Sequence, residues 1–275
     1  MRLAALGAMI LVAAPAAADP LVFDNGRLFI TAQVNGLTTE ALLDSAAEAS
    51  LIDPVFAAKA KLAEGAAQTI RGSGGGAKAR VVEGVMVEAL GLTLHPEAVV
   101  VTDLSELSRR LIKRPTQVVI GRELFDAARL RVDIGRREAI VVNSAGEPKG
   151  QRLSLTKVHG VEAIEVVASG VTGQAEVDLG NGSGLLISRS FANKLKLKTI
   201  GRKPGGGIGG EVQRDLVRLA SLDVAGKRYR DLVAAVDDQP TASDLNIGTS
   251  ILKDFVLTTD FSQRAVWLDP AVQGR

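Results

Sequence analysis

The chain has 275 residues, 33 basic and 31 acidic side chains, two histidines and no cysteine. This length gives one large or two modest domains with room for a core, and a net charge of +2 supplies no field for gathering nucleic acid. The absence of cysteine excludes disulfides, thiolate metal sites and a cysteine nucleophile, and His95 and His159 are too few for a multi-histidine metal centre.

From the N-terminus, Leu3 to Ala18 is apolar after the single charge of Arg2, and Ala16-Ala17-Ala18 offers a small-x-small cleavage site before Asp19. The run is short for a span of about 20 residues. It reads as a signal peptide over residues 1–18, leaving 275 − 18 = 257 residues in a periplasmic or secreted protein without stable membrane insertion. Short alternating apolar runs then predict strands, among them Leu28 to Val34 and Val81 to Val87. An apolar stretch ends in Leu42-Leu43-Asp44-Ser45-Ala46, and Asp53-Pro54 is an N-cap with proline at the first helical position. A glycine cluster, Gly72-Ser73-Gly74-Gly75-Gly76, leads on to Val118-Val119-Ile120-Gly121 and to a strand pair from Leu130 to Val142. Residues 143–152 are linker-like in composition.

The remaining elements repeat the first set in other letters. At a constant offset of 134, Gly26 meets Gly160, Gly36 meets Gly170 and Asp44 meets Asp178 in Val177-Asp178-Leu179-Gly180. A helix is expected from Ser188 to Leu197, followed by the cluster Gly205-Gly206-Gly207-Ile208-Gly209-Gly210. Leu245-Asn246-Ile247-Gly248 and a strand pair from Leu257 to Leu268 follow at an offset of 127, so the first copy carries about seven extra residues, placed in Ser105 to Thr116. Thr38 to Leu62 alone could pass for one alanine-rich helix. The second copy argues for strand and turn instead, because Gly180, Gly182 and Gly184 would each cost a helix about 1 kcal/mol relative to alanine. The expected organisation is a lobe over 19–142, a linker over 143–152 and a second lobe over 153–275.

Two strands ending in equivalent aspartates bring two carboxylates together across a pseudo-twofold axis. Like charges about 3 Å apart share one proton, so one carboxyl can act as base on water and the other as acid toward a carbonyl oxygen. These residues resemble the retropepsin-like aspartic peptidases, duplicated here in one chain, through Leu42-Leu43-Asp44-Ser45-Ala46-Ala47, the two glycine-rich segments and the two apolar-apolar-Gly signatures ending at Gly121 and Gly248. The resemblance implies a mainly β fold of two β-barrel lobes with few short helices, and Asp44 and Asp178 as the catalytic pair. It implies dyad support from the hydroxyl and the glycine after each aspartate. Each lobe carries half of that support: Ser45 with Ala46 in the first, Leu179 with Gly180 in the second. Gly74, Gly75, Gly76, Gly205, Gly206 and Gly207 fall where the family has substrate-binding flaps.

The implied partner is a peptide or unfolded protein, cleaved without metal or organic cofactor, by a chain that as a monomer holds both halves of the site. The alternative is a catalytically impaired peptide-binding or scaffold protein that keeps the cleft. Asp133 and Asp260 also correspond and read as turn formers. The literal Gly-x-Gly-x-x-Gly at Gly205 precedes a strand-like segment, which argues against a dinucleotide site.

Overall fold

The computed structural model describes residues 19–142 and 146–271; the expected signal peptide and part of the linker lie outside the described residues. In the first lobe, Arg27–Val34 folds back on Leu37–Leu43 through a turn in which Asn35 and Gly36 have φ of 47° and 79°. That pair of positive φ angles is the type I′ geometry that matches strand twist, and Asn-Gly is its favoured sequence. The second lobe repeats it: Val161–Ala168 turns through Ser169 and Gly170, at 48° and 82°, into Val171–Val177.

Each strand that leads to an aspartate is flanked by a parallel partner arriving from far along the chain. Val118–Ile120 pairs with the first, placing Val119 opposite Leu42, and Leu245–Ile247 pairs with the second, placing Asn246 opposite Glu176. The Asp44 N–H donates to the Ile120 carbonyl and the Asp178 N–H to the Ile247 carbonyl, both at 3.0 Å. Both aspartates therefore leave the sheet at the same point of the repeat. Glycine follows each parallel strand because the chain passes so close: a Cβ on Gly121 would stand 2.7 Å from the Ala49 carbonyl carbon, and one on Gly248 2.1 Å from the Asn181 carbonyl oxygen.

The stretch from Thr38 to Leu62 is strand, turn, strand and a short helix, Pro54–Lys59, capped by Asp53 accepting from the Val55 N–H at 2.9 Å. Its counterpart, Arg189–Lys194, is capped by Ser188 and stops three residues short of the expected Leu197. The extra length of the first lobe lies in Ser105–Leu107 and the π-helical Ser108–Ile112.

A six-stranded sheet joins the lobes. Leu130–Asp133 and Phe255–Asp260 pair antiparallel at its centre, so equivalent strands of the two copies lie side by side. Strand Gln151–Ser154, which begins inside the expected linker, adds to one edge. The sheets are not the closed barrels expected: strands 130–133 and 255–260 are drawn off into the shared sheet, and one hairpin of each lobe projects over the gap between the lobes. One apolar core, including Phe125, Phe191, Phe255 and Leu179, runs through both lobes. A smaller cluster of Phe29, Leu42, Leu104, Leu107, Ile112 and Val119 packs on the first lobe's side of the gap, with Leu42, Leu107, Ile112 and Val119 facing it. Among the described residues no helix is long and apolar enough to cross a membrane.

Candidate active site

Asp44 and Asp178 form the floor of a cavity of about 550 Å3 between the lobes. Two hairpins roof it, Ala66–Gly72 with Gly75–Val82 from the first lobe and Thr199–Gly207 with Gly210–Val224 from the second. Their tips interlock. The Gly74 N–H donates to the Ile208 carbonyl at 2.9 Å, and a Cβ on Gly74 would lie 2.1 Å from the Gly210 carbonyl oxygen. Of the glycines assigned to the flaps, Gly205, Gly206 and Gly207 line the cavity together with Gly72 and Ser73. Gly74 and Gly75 instead face the opposite tip, and Gly76 lines a smaller separate cavity.

The Asp44 Oδ1 accepts from the Ala46 and Ala47 N–H groups at 2.9 and 3.0 Å. The Asp178 Oδ1 accepts from the Asn181 N–H at 2.9 Å, and its Oδ2 from the Asn246 amide at 2.7 Å. Gly180 packs flat against the partner carboxyl, where a Cβ would fall 2.3 Å from the Asp44 Cγ. Its glycine is thus required by close approach. Ala46, the matching residue of the first lobe, is absent from the positive-φ positions, so its methyl brings no backbone strain.

Ser45 alone ties the two turns together. Its Oγ donates to the Val177 carbonyl at 2.6 Å and accepts from the Leu179 N–H at 3.0 Å, both across the lobe boundary. Leu179 returns no such bond; its side chain is fully buried in the apolar core.

Burial pushes both carboxyls up. For Asp178 the rise, to about 7, comes first from desolvation and then from the neighbouring Asp44 charge, against the donors Asn246, Asn181 and Gly180. Asp44 is raised by desolvation, opposed by the Ala46 and Ala47 N–H groups and by Arg27, and raised further by the nearby Glu176 charge. The two titrate as a pair. A carboxyl pair that shares one proton supplies a base and an acid at once.

Several cavity residues escaped the reading of the sequence. Arg27, only 3% exposed, donates to the Ser183 hydroxyl at 3.1 Å and lies within electrostatic reach of both aspartates. Glu176 sits two residues before Asp178, on the same face of the strand, with Asn246 opposite it. Their signal was in the repeat itself, where polar residues of one copy align with Leu42 and Val119 of the other. Asp133 and Asp260 each accept from the N–H three residues on, Arg136 and Gln263, as turn formers do. Among the described residues no group of three or more His, Asp or Glu side chains is placed to hold a metal ion.

A search of curated proteins found no match. The sequence profile described as aspartyl protease matches twice, over residues 30–124 and 164–251, each match containing one of the aspartates and the apolar-apolar-Gly strand that supports it. With about two-thirds of its length matched by that profile, and the match falling once on each lobe, the chain belongs to the aspartyl protease family.

Proposed function

We propose that the protein is a peptidase that hydrolyses peptide bonds with a water activated between Asp44 and Asp178. The observation that carries this reading is the joint placement of the two carboxyls, with Gly180 pressed on Asp44 and Ser45 bridging to the strand of Asp178. In the reaction the ionised carboxyl removes a proton from water, whose oxygen adds to the peptide carbonyl carbon. The protonated carboxyl donates to the carbonyl oxygen, giving a neutral tetrahedral diol. The carboxyl that took the water proton passes it to the nitrogen, the other carboxylate takes a hydroxyl proton from the diol as the C–N bond breaks and the new acid's carbonyl forms, and the pair again holds one shared proton. No covalent link to the enzyme forms.

The substrate is an extended peptide or unfolded protein, since the hairpin tips lie over the cavity and must open to admit a chain. We place the protein in the periplasm or outside the cell, on the strength of the N-terminal apolar run, and take it to work as a monomer because both aspartates belong to one chain. A second reading, a peptide-binding protein with impaired catalysis, draws on Leu179, which leaves the turns braced from one side only.

Cleavage of an unfolded protein tests the two. Activity should peak in mild acid and fall as pH rises past the region near 7, where the pair gives up its shared proton. Asp44→Asn and Asp178→Asn should each lower it by about 10³-fold or more, with no further loss in the double variant. Wild-type protein that binds peptide yet cleaves none between roughly pH 3 and 8 would establish the binding protein instead.

A further inference from the structure

The pseudo-twofold symmetry of the cavity floor is broken at one cross-strand pair. In the first lobe Leu42 faces Val119 and both join the small apolar cluster; in the second the matching pair is Glu176 and Asn246. The fold does not require the polar version, because the first lobe builds the same parallel pairing without it. Placing a carboxyl there carries a desolvation cost that a Leu–Val pair avoids.

The geometry shows where that cost is met. The Asn246 amide nitrogen donates one hydrogen to the Glu176 Oε2 at 2.8 Å and the other to the Asp178 Oδ2 at 2.7 Å. Its own Oδ1 accepts from the Asn181 amide at 2.7 Å, and that amide also donates to the Gly184 carbonyl, so the Asn246 side chain cannot flip without losing three bonds. Ser243, in the loop before the strand, donates to the other Glu176 oxygen at 2.7 Å. Every member of the chain Ser243, Glu176, Asn246, Asp178 is paired. A network satisfied in this way rigidifies its members and transmits charge between them.

We propose that Glu176 and Asn246 are positioning residues that couple a third carboxyl to the aspartate pair, Asn246 holding Asp178 in place while the charge on Glu176 sets the pH at which the pair gives up its shared proton. This rests on the peptidase reading for its consequence in catalysis, though not for the coupling itself. The charged groups facing Glu176 include Asp44, the other member of the pair, which the Glu176 charge also raises. Asp237, on the strand Lys227–Asp237, is paired with Arg214 of the roof hairpin at 2.9 Å. Arg27 lies toward both aspartates and donates to Ser183. Lys203, on the first strand of the same hairpin, donates to the Ser183 carbonyl at 3.2 Å. The residue paired with Glu176 on the neighbouring antiparallel strand is Ala163, which carries no charge. Burial pushes the Glu176 carboxyl up, Ser243 and Asn246 oppose that rise, and Asp178 and Asp237 add to it.

The two residues act on Asp178 with opposite signs. A negative Glu176 disfavours a second negative charge nearby, whereas the Asn246 hydrogen bond favours the ionised form. Glu176→Gln keeps the acceptor for Asn246 and removes the charge, so the Asp178 midpoint should fall by about one pH unit. Asn246→Val installs the first lobe's residue and removes the donor, so the midpoint should rise by about as much. Side-chain carboxyl titration by 13C NMR reads these midpoints whether or not the protein cleaves anything, and the alkaline limb of the cleavage profile should move with them. Midpoints that stay put in both variants, or that move in the same direction, would overturn the coupling. If Asn246→Val does not fold, Glu176→Gln decides alone: a fall in the midpoint upholds the proposal and an unchanged midpoint ends it. Shifted titrations in a protein with no cleavage would refute the peptidase reading and leave the coupling standing, and cleavage with unmoved titrations would do the reverse.

Discussion

Above Asp44 the cavity wall is Leu42, Val119, Leu107 and Ile112; above Asp178 the matching wall is Glu176, Asn246, Ser243 and Asp237. The connecting segments follow the same division. The first lobe spends its extra residues on Ser105–Ile112, which sends Leu107 and Ile112 into the apolar cluster, while the second crosses the same gap by the shorter loop from Asp238 to Asp244, which supplies Ser243. One backbone plan thus carries two environments, one apolar and one hydrogen-bonded. The division extends to the braces of the aspartates: the hydroxyl comes from the first lobe at Ser45 and the close-packed glycine from the second at Gly180. A site that needs one of each can be assembled from two unlike halves, provided the halves never separate.

The same small change should therefore have very different effects on the two sides. Gly180→Ala puts a Cβ 2.3 Å from the Asp44 Cγ, a distance no real contact tolerates, so the carboxyl must move. A displacement near 1 Å at the reacting groups costs about 10²-fold, and cleavage should fall by at least that much. Ala46→Gly, at the matching position, should leave activity within about threefold, since Ala46 has no positive φ to relieve. Steady-state kinetics on the two variants compares them directly; equal losses would mean that the lobes are braced alike.

Ser45 carries the first lobe's share of the bracing. Ser45→Ala removes the hydroxyl that bonds both Val177 and Leu179 across the boundary, and leaves a buried carbonyl and N–H without it. Thermal unfolding should show a loss of about 1–3 kcal/mol. Leu179→Thr tests the opposite side. It restores the family's hydroxyl but withdraws a fully buried leucine from the core, and the large-to-small change should outweigh the gain and lower the Tm. A higher Tm in Leu179→Thr would show that the missing hydroxyl, and not the core, governs this position.

Leu179 also illustrates what the sequence could and could not disclose. The internal repeat located both aspartates, the matched glycines Gly36 and Gly170 and the capped helices, because each depends on local chemistry: a positive φ, an N-cap or an apolar strand of fixed length. Leu179 reads as a lost hydroxyl when set against the motif, yet its burial in a core shared by both lobes is a long-range fact that no window of sequence contains. The open sheets likewise depend on the pairing of Leu130–Asp133 with Phe255–Asp260, strands separated by more than a hundred residues. Glu176 and Asn246 were in plain sight as mismatches between the copies. Their meaning needed the parallel register that sets them side by side.

The smallest effect should come from the roof. Arg110, on the helical segment found only in the first lobe, donates to the Gly205 carbonyl at 3.0 Å and the Gly207 carbonyl at 3.4 Å of the second lobe's hairpin, with Glu106 pairing its guanidinium from behind. The opposite hairpin is held differently: Arg214, itself on a hairpin strand, donates to the Ser73 carbonyl at 3.0 Å. Each roof hairpin is therefore fastened by an arginine from the other lobe, one rooted in a helix and one in a sheet. Arg110→Ala removes two bonds to carbonyls that water can replace once the hairpin lifts, so the closed roof becomes easier to open without any change at the carboxyls. In a peptidase whose roof closes on substrate before chemistry, that loss appears as a rise in KM of about threefold to tenfold with kcat nearly unchanged. A fall in kcat at constant KM would mean that Arg110 supports the reacting geometry and that the first lobe's extra helical segment belongs to the catalytic floor as well as to the roof.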